Sequence, residues 1–273
     1  MARDAIPGRR LALGSTLALV TLGVFVPLAA VAATAAGTGR EALLEAILSP
    51  RALAAFRLTF GASLAAAALD AVAGTYVAWI LVRYAFPGRA LIDALVDVPL
   101  ALPTAVTGIA LATLYGARGA AGSALEAHGI HVAYTPLGVG LALAFVGFPF
   151  VVRTVQPVLA ALPRDYDEAA KSLGASSLAT LARVSLPLLA PAVLAGFALA
   201  LARALGEYGS VVFISGNLPL HTEIVPLLIV TRLEEFDYPG AAAIATVLLV
   251  TSFALLFVIN AWQRRLTAAR GRA

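Results

Sequence analysis

The sequence predicts an all-α membrane protein of six helical spans, and three observations carry that prediction. Of 273 residues, 61% are hydrophobic and only 12% are charged, about half the charged share of a soluble domain. The apolar residues fall in runs of roughly 20 or more, the length a helix needs to cross the hydrocarbon of a bilayer. The charges gather in short stretches between those runs, because a charge at bilayer depth costs about 2.5–3.5 kcal/mol on insertion scales. Lipid offers no hydrogen-bond partners, so each run must satisfy its own backbone as a helix. The absence of cysteine excludes disulfides, thiolate metal sites and cysteine nucleophiles. The formal charge of +4 is spread over several loops rather than one patch, and nothing points to nucleic acid.

Taken in order, a basic start with Arg3, Arg9 and Arg10 precedes the first predicted span, Leu11 to Ala36. At about 25 residues this run exceeds the apolar core of a secretory signal, so it is expected to be a retained helix. Arg40 to Arg57 is mildly amphipathic and is expected to lie at the interface. It leads into a second span, Leu58 to Leu81, rich in Ala, Gly and Ser that permit close helix contacts. Asp70, near the middle of that span, needs a partner; a pathway contact and a neutral carboxyl bonded to a neighbouring helix are both open.

Leu91 to Tyr115 is the third predicted span, with Asp93 and Asp97 near its start and Pro99, Pro103 and Gly108 within it. Such prolines break or kink a helix and leave backbone groups to be satisfied within protein. Gly116 to Tyr134 is a small loop whose His128 and His131, lacking further ligands nearby, read as ordinary loop histidines. The fourth span runs from Pro136 to Leu162, interrupted at Gly147, Phe148 and Pro149. The fifth runs from Leu188 to Ile214 and contains Arg203 and Glu207, four apart and thus able to pair on one face. A loop from Ser215 to Tyr238 holds Ile224 to Val230, apolar but too short to span and placed to re-enter the membrane. The sixth span is Ala241 to Ala261.

Between spans four and five lies the stretch that sets this chain apart, residues 163–187, with Arg164, Asp165, Asp167, Glu168, Lys171 and Arg183. Pro163 suits a first helical turn, and Asp165, Asp167 and Glu168 complement the positive end of the helix dipole. Ala169 and Ala170 leave a narrow helix face. Gly174 can take the left-handed backbone that ends a helix, and Ser176 or Ser177 can cap a second one. Pro187 and Pro191 are expected to mark the turn into the next span.

The spacing Glu168-Ala169-Ala170, Gly174, Val184, Leu186-Pro187 resembles the cytoplasmic coupling loop of ABC importer permeases, which most often have Ile where Val184 stands. Membership implies a type I importer permease fold, one permease domain over residues 1–273 with its core at 58–265, and a coupling-helix hairpin. Six spans place both termini on one side. Calling that side cytoplasmic collects Arg3, Arg9, Arg10, Arg83, Arg89, Arg153, Arg164, Lys171, Arg183, Arg264, Arg265, Arg270 and Arg272 there. Only Arg40, Arg51, Arg57, Arg118 and Arg232 fall opposite, so the excess of basic residues agrees with the loop assignment.

Further stretches resemble the sulfate/molybdate branch: Val82-Arg83-Tyr84 with Phe86-Pro87-Gly88-Arg89, Asp93 to Pro99, Pro149 to Val158, and above all Arg203 to Asn217. They look like the T-type subunit of sulfate/thiosulfate importers; molybdate permeases share the Gly-Glu-Tyr-Gly neighbourhood but are commonly shorter. The resemblance implies a bacterial inner-membrane heteromer of this subunit, a second W-type permease, two cytoplasmic ATPases and a periplasmic sulfate-binding protein. ATP and Mg would be used by the ATPase, with no cofactor bound directly here, since the chain has no phosphate-cradling Gly-x-x-x-x-Gly-Lys-Ser/Thr loop. The coupling residues are then Asp165, Asp167, Glu168, Ala169, Ala170, Gly174, Val184, Leu186 and Pro187. Thr104, Thr107, Arg203, Glu207 and Tyr208 are candidate pathway residues, with helix packing as the competing reading. An ion-coupled secondary transporter would need no coupling loop. An intramembrane hydrolase would need a base within a span, yet all three histidines lie in loops.

Overall fold

The computed structural model describes residues 9–270, and every regular element among them is helical. The expected Arg3 and Arg272 lie outside the described residues. Among the described residues, five helices are long and apolar enough to cross a membrane: Leu11–Gly37, Pro50–Arg83, Pro136–Ala161, Leu181–Leu205 and Tyr238–Arg265.

Helix α1 (Arg9–Val20) passes through a π turn at Thr21–Phe25 into α2 (Val26–Gly37). This first span stands apart from the bundle, with Leu11, Leu17, Leu22 and Phe25 exposed. Only its far end, Val31 and Ala35, packs against Ala242 and Ala243 of the last helix. The interfacial helix predicted over Arg40 to Arg57 stops early, as α3 (Arg40–Leu48). The Ser49 hydroxyl accepts from Ala52 N at 3.2 Å and Pro50 occupies the first turn, so α4 (Pro50–Arg83) starts at Pro50 rather than Leu58. At 1.5 Å per residue α4 is about 51 Å long, well beyond the thickness of a hydrocarbon core.

The third predicted span is not one helix. It is cut into α5 (Arg89–Val96), α6 (Val98–Ala101) and α7 (Thr104–Tyr115). Pro99 opens α6, and Leu102, preceding Pro103, is pushed to extended backbone at φ −81°, ψ 137°. Helix α7 alone, about 18 Å, is too short to span. The opposite correction applies to the fourth span. After the short α8 (Ala120–Glu126), α9 (Pro136–Ala161) runs unbroken through Pro149 and Pro157. Pro149 is buried among the neighbouring helices, where protein can satisfy the freed backbone group, whereas Pro157 is exposed near the end of the helix.

Helix α9 is the centre of the bundle, packed between α4 and α12 (Leu186–Leu205). Its Val151, Val152, Val155 and Leu159 are fully buried with Ala78 and Leu81 of α4 and Leu189 and Leu201 of α12. Val151 sits where all three helices meet. A Cβ at Gly74 would lie 2.9 Å from the Val151 Cβ, and one at Gly196 2.9 Å from its Cα. Apolar side chains gain little by leaving lipid, so contact of this closeness between small residues is what holds such helices together.

The polar stretch forms α10 (Asp165–Ser172) and α11 (Ser177–Thr180), then a π turn at Leu181–Ser185 that continues into α12. No bend occurs at Pro187, which sits in the first turn of α12, and Pro191 lies inside that helix. The fifth span ends at Leu205 rather than Ile214; the chain breaks at Gly206–Tyr208 and restarts as α13 (Gly209–Ser215). The loop beyond contains α14 (Val225–Glu234), pinned to α4 by a bidentate Arg51–Glu223 pair at 2.7 and 2.8 Å and by Val225 N donating to the Thr59 hydroxyl at 2.8 Å. The chain closes with α15 (Tyr238–Arg270).

Candidate functional site

Three polar assemblies interrupt the apolar bundle. The first is the hairpin. Helix α10 ends in a Schellman turn: Ala175 N donates to Ala170 O at 3.0 Å, Gly174 N donates to Lys171 O at 2.9 Å, and Gly174 takes φ +84°. The Ser176 hydroxyl then accepts from Ala179 N at 3.2 Å and starts α11. Asp167 is the inward anchor. It accepts a hydrogen bond from the Ser185 hydroxyl at 2.8 Å and faces the Arg83 guanidinium at 3.7 Å. Asp165, Glu168, Ala169 and Gly174 are exposed, as are Leu186 and Pro187, while Ala170 and Val184 are half-buried. Leu173 is 89% exposed and Tyr166 52%. A short helix with acidic residues at its start and a bare leucine at its end thus projects beyond the bundle.

The second assembly is the junction between α7 and the α12–α13 break. The sequence-predicted Thr104, Glu207 and Tyr208 converge here. A Cβ on Gly209 would meet the Thr104 hydroxyl, and one on Gly108 would lie 2.9 Å from the Ser210 Cα, so the two short helices touch backbone to backbone. Glu207, 1% exposed, accepts from both Ser210 N and the Ser210 hydroxyl at 2.8 Å and pairs with Arg203 on the preceding turn. The carboxylate therefore stitches the break, capping α13 while tied to α12. Thr107 is buried and its hydroxyl has no partner. Tyr208 remains 40% exposed.

The third assembly is one that sequence reasoning missed. Arg153 of α9 donates to both oxygens of Asp97 at 2.8 and 2.6 Å, to Asp93 Oδ1 at 2.6 Å and to Asp93 O at 2.8 Å, while Gln156 completes the cluster. It clamps the broken segment α5–α6 to the central helix. The signal was present: two carboxylates four apart near the start of a span, and one arginine at the end of another.

Asp70 is not bonded to a neighbouring helix through its buried oxygen. Its side chain is buried and Oδ2 has no partner. It lies against Gly147 of α9, on the wall of an apolar cavity of about 490 Å³ lined by Leu95, Phe145 and Phe148. His131 faces Glu126 at 3.5 Å, and among the described residues no group of three or more His, Asp and Glu is placed to hold a metal ion.

A bundle of long apolar helices with broken segments and a polar hairpin is the architecture of a multi-pass membrane protein. Residues 70–271 match the family "Binding-protein-dependent transport system inner membrane component", and the chain belongs to that family. It is 47% identical over 263 residues to the sulfate transport system permease protein CysT of Salmonella typhimurium, covering 96% of this chain and 95% of that protein. The CysT of Escherichia coli K12 gives the same figures, and that of Synechococcus elongatus is 50% identical over 248 residues, 91% of this chain and 89% of that one. Among solved structures, a chain of a bacterial alginate ABC transporter bound to its alginate-loaded periplasmic protein superposes with a TM-score of 0.77 at 15% identity, over 94% of each chain. That likeness establishes the fold.

Proposed function

We propose that this chain is the T-type permease subunit of an ATP-driven importer that carries sulfate or thiosulfate from a periplasmic binding protein to the cytoplasm. The single observation carrying the substrate is near-half identity, over almost the whole chain, with sulfate transport permeases. The chain does not hydrolyse ATP; a separate ATPase dimer does so with Mg and docks on the exposed face of α10. A second, W-type permease completes the membrane unit, and residues 1–273 form one permease domain. The distribution of arginines supports placing the hairpin and both termini in the cytoplasm. With α5, α6 and α7 counted as one interrupted crossing, the bundle has six spans.

The mechanism is alternating access. Closure of the ATPase dimer moves α10, and because Asp167 binds Ser185 at the root of α12, that motion passes into a helix packed on α9. Two packings of the bundle, biased by nucleotide at one end and binding protein at the other, are the required physical element. Thr104, Thr107 and Tyr208 at the α7–α13 junction are the proposed pathway contacts, with Arg203 and Glu207 fixing the geometry of the break beside them. Hydroxyls and backbone amides suit an oxyanion that must also be released. A molybdate/tungstate importer is the second reading, because the Gly206-Glu207-Tyr208-Gly209 junction is shared with that branch.

Uptake of radiolabelled sulfate into proteoliposomes holding this chain, the second permease, the ATPase and the binding protein tests the proposal. The expected result is ATP-dependent uptake blocked by thiosulfate and barely by equimolar molybdate. Preferential block by molybdate would move the substrate, and uptake without ATP would overturn the importer.

A further inference from the structure

We infer that the hairpin end of this subunit carries its own oxyanion-binding site, a basic cleft separate from the α7–α13 junction. The cleft has a volume of about 670 Å³ and lies between the end of α4, the start of α5 and the end of α9. Arg83, Arg89, Arg153 and Arg164 line it together with Gln156.

The four arginines are not equivalent. Arg153 is occupied by Asp93 and Asp97. Arg89 is exposed and acts on Asp93 only at a distance. Arg164 is exposed, with no side-chain partner among the described residues. Arg83 is the informative one, because its side chain is only 10% exposed yet poorly satisfied. Its terminal nitrogens reach Leu162 O at 3.4 Å each, Asp167 stands off at 3.7 Å, and Nε is buried with no partner. A guanidinium offers five N–H donors, and one held nine-tenths buried with only long contacts keeps donor capacity for an anion. The carboxylates facing the cleft region are Asp93, Asp97 and Asp167. The first two hydrogen-bond to Arg153, with Arg89 acting on Asp93 only at a distance, which leaves Asp167 as the one carboxylate paired with Arg83 among the described residues.

The ligand chemistry is a tetrahedral dianion or monoanion with several acceptor oxygens, either free sulfate or phosphate or the phosphate of an anionic lipid headgroup. Such an anion would take donors from Arg83 that now point at Asp167, the residue that anchors the hairpin to α12. On the proposed cytoplasmic placement of the hairpin, this is the product side of the importer; the binding itself does not depend on that placement.

Trp79 supplies the probe, since the Arg83 guanidinium carbon lies 5.6 Å from its ring centroid. The chain has two tryptophans, so Trp262→Phe leaves Trp79 as the only reporter. The full chain carrying Trp262→Phe is titrated with sodium sulfate in phosphatidylcholine nanodiscs, against sodium chloride at equal ionic strength. A parallel series without sulfate raises the phosphatidylglycerol content. The expected result is a saturable Trp79 response to sulfate that weakens roughly tenfold or more in Arg89→Gln/Arg164→Gln, an effect typical of losing close charge pairs. A response to phosphatidylglycerol alone, lost in the same variant, assigns the cleft to lipid phosphate. No saturable response to either, or one unchanged in the variant, overturns the inference. No ATPase or uptake enters this measurement, so its failure leaves the importer reading intact, and failed sulfate uptake leaves the cleft intact.

Discussion

The hairpin and the α7–α13 junction are both polar breaks in an apolar chain, yet they are built in opposite ways. At the junction the break is sealed: Gly108 lies against the Ser210 backbone, Glu207 is buried, and every carboxylate oxygen on it has a donor. At the hairpin the break is presented, with Glu168 exposed, Leu173 almost bare, and Asp167 as its inward anchor. A buried break must satisfy its own polar groups, because nothing else will. An exposed helix with an apolar tip leaves its satisfaction to water and to another molecule. The difference separates a segment that shapes the bundle from an exposed one, to which the proposed function assigns the ATPase.

Substitutions can break or sharpen that contrast. The largest effect is expected at the sealed break: Gly108→Val places a branched side chain where a Cβ would already be 2.9 Å from the Ser210 Cα. Overpacking of a core typically costs 1–3 kcal/mol, and backbone on backbone leaves nothing to yield, so a loss of about 3 kcal/mol or more is expected. It should appear as aggregation or a lowered midpoint in thermal melts followed by size exclusion. Next is the clamp. Arg153→Ala leaves Asp97 without its partner and Asp93 with Gln156 alone, but both are more than a third exposed, so water compensates and about 1–2 kcal/mol is expected. Protease cutting within residues 89–103 should rise in parallel.

Hairpin substitutions should separate stability from function. Glu168→Lys changes an exposed side chain and should shift folding by less than about 0.5 kcal/mol, while ATPase binding or coupled uptake is lost. Gly174→Pro conflicts with φ +84° and should disorder the end of α10, costing coupling more than overall stability. The smallest effect is at Thr107→Val, which removes a buried hydroxyl that has no partner; stability should change by less than about 1 kcal/mol. A loss of uptake there with an unchanged melt would mark Thr107 as a pathway contact.

Much of this architecture was legible because it rests on local chemistry. Hydrophobic run length located the long helices, and Pro163, the acidic first turn and Gly174 foretold α10 with its Schellman end. The Arg203–Glu207 pair followed from helical spacing alone. What was misread depended on surroundings. Proline has one sequence signature but two outcomes: Pro99 and Pro103 divide a span, whereas α9 continues through Pro149, which is buried against its neighbours, and through the exposed Pro157. Arg203, Gly206, Glu207, Tyr208 and Gly209 marked the polar end of the fifth span, but not that the chain breaks there and restarts as α13 against Thr104 of α7. Arg153 could not be matched to Asp93 and Asp97 without the packing of α5 on α9, and Asp70 could not be known to lack a partner.

The most direct test of the central claim, that the exposed face of α10 receives the ATPase, is Glu168→Lys in the assembled importer. ATP hydrolysis and sulfate uptake should be measured on the same proteoliposomes. The account predicts normal insertion and melting, with uptake abolished and either lost ATPase association or hydrolysis uncoupled from transport. Wild-type uptake by this variant would contradict it and return the hairpin to the status of a solvated loop.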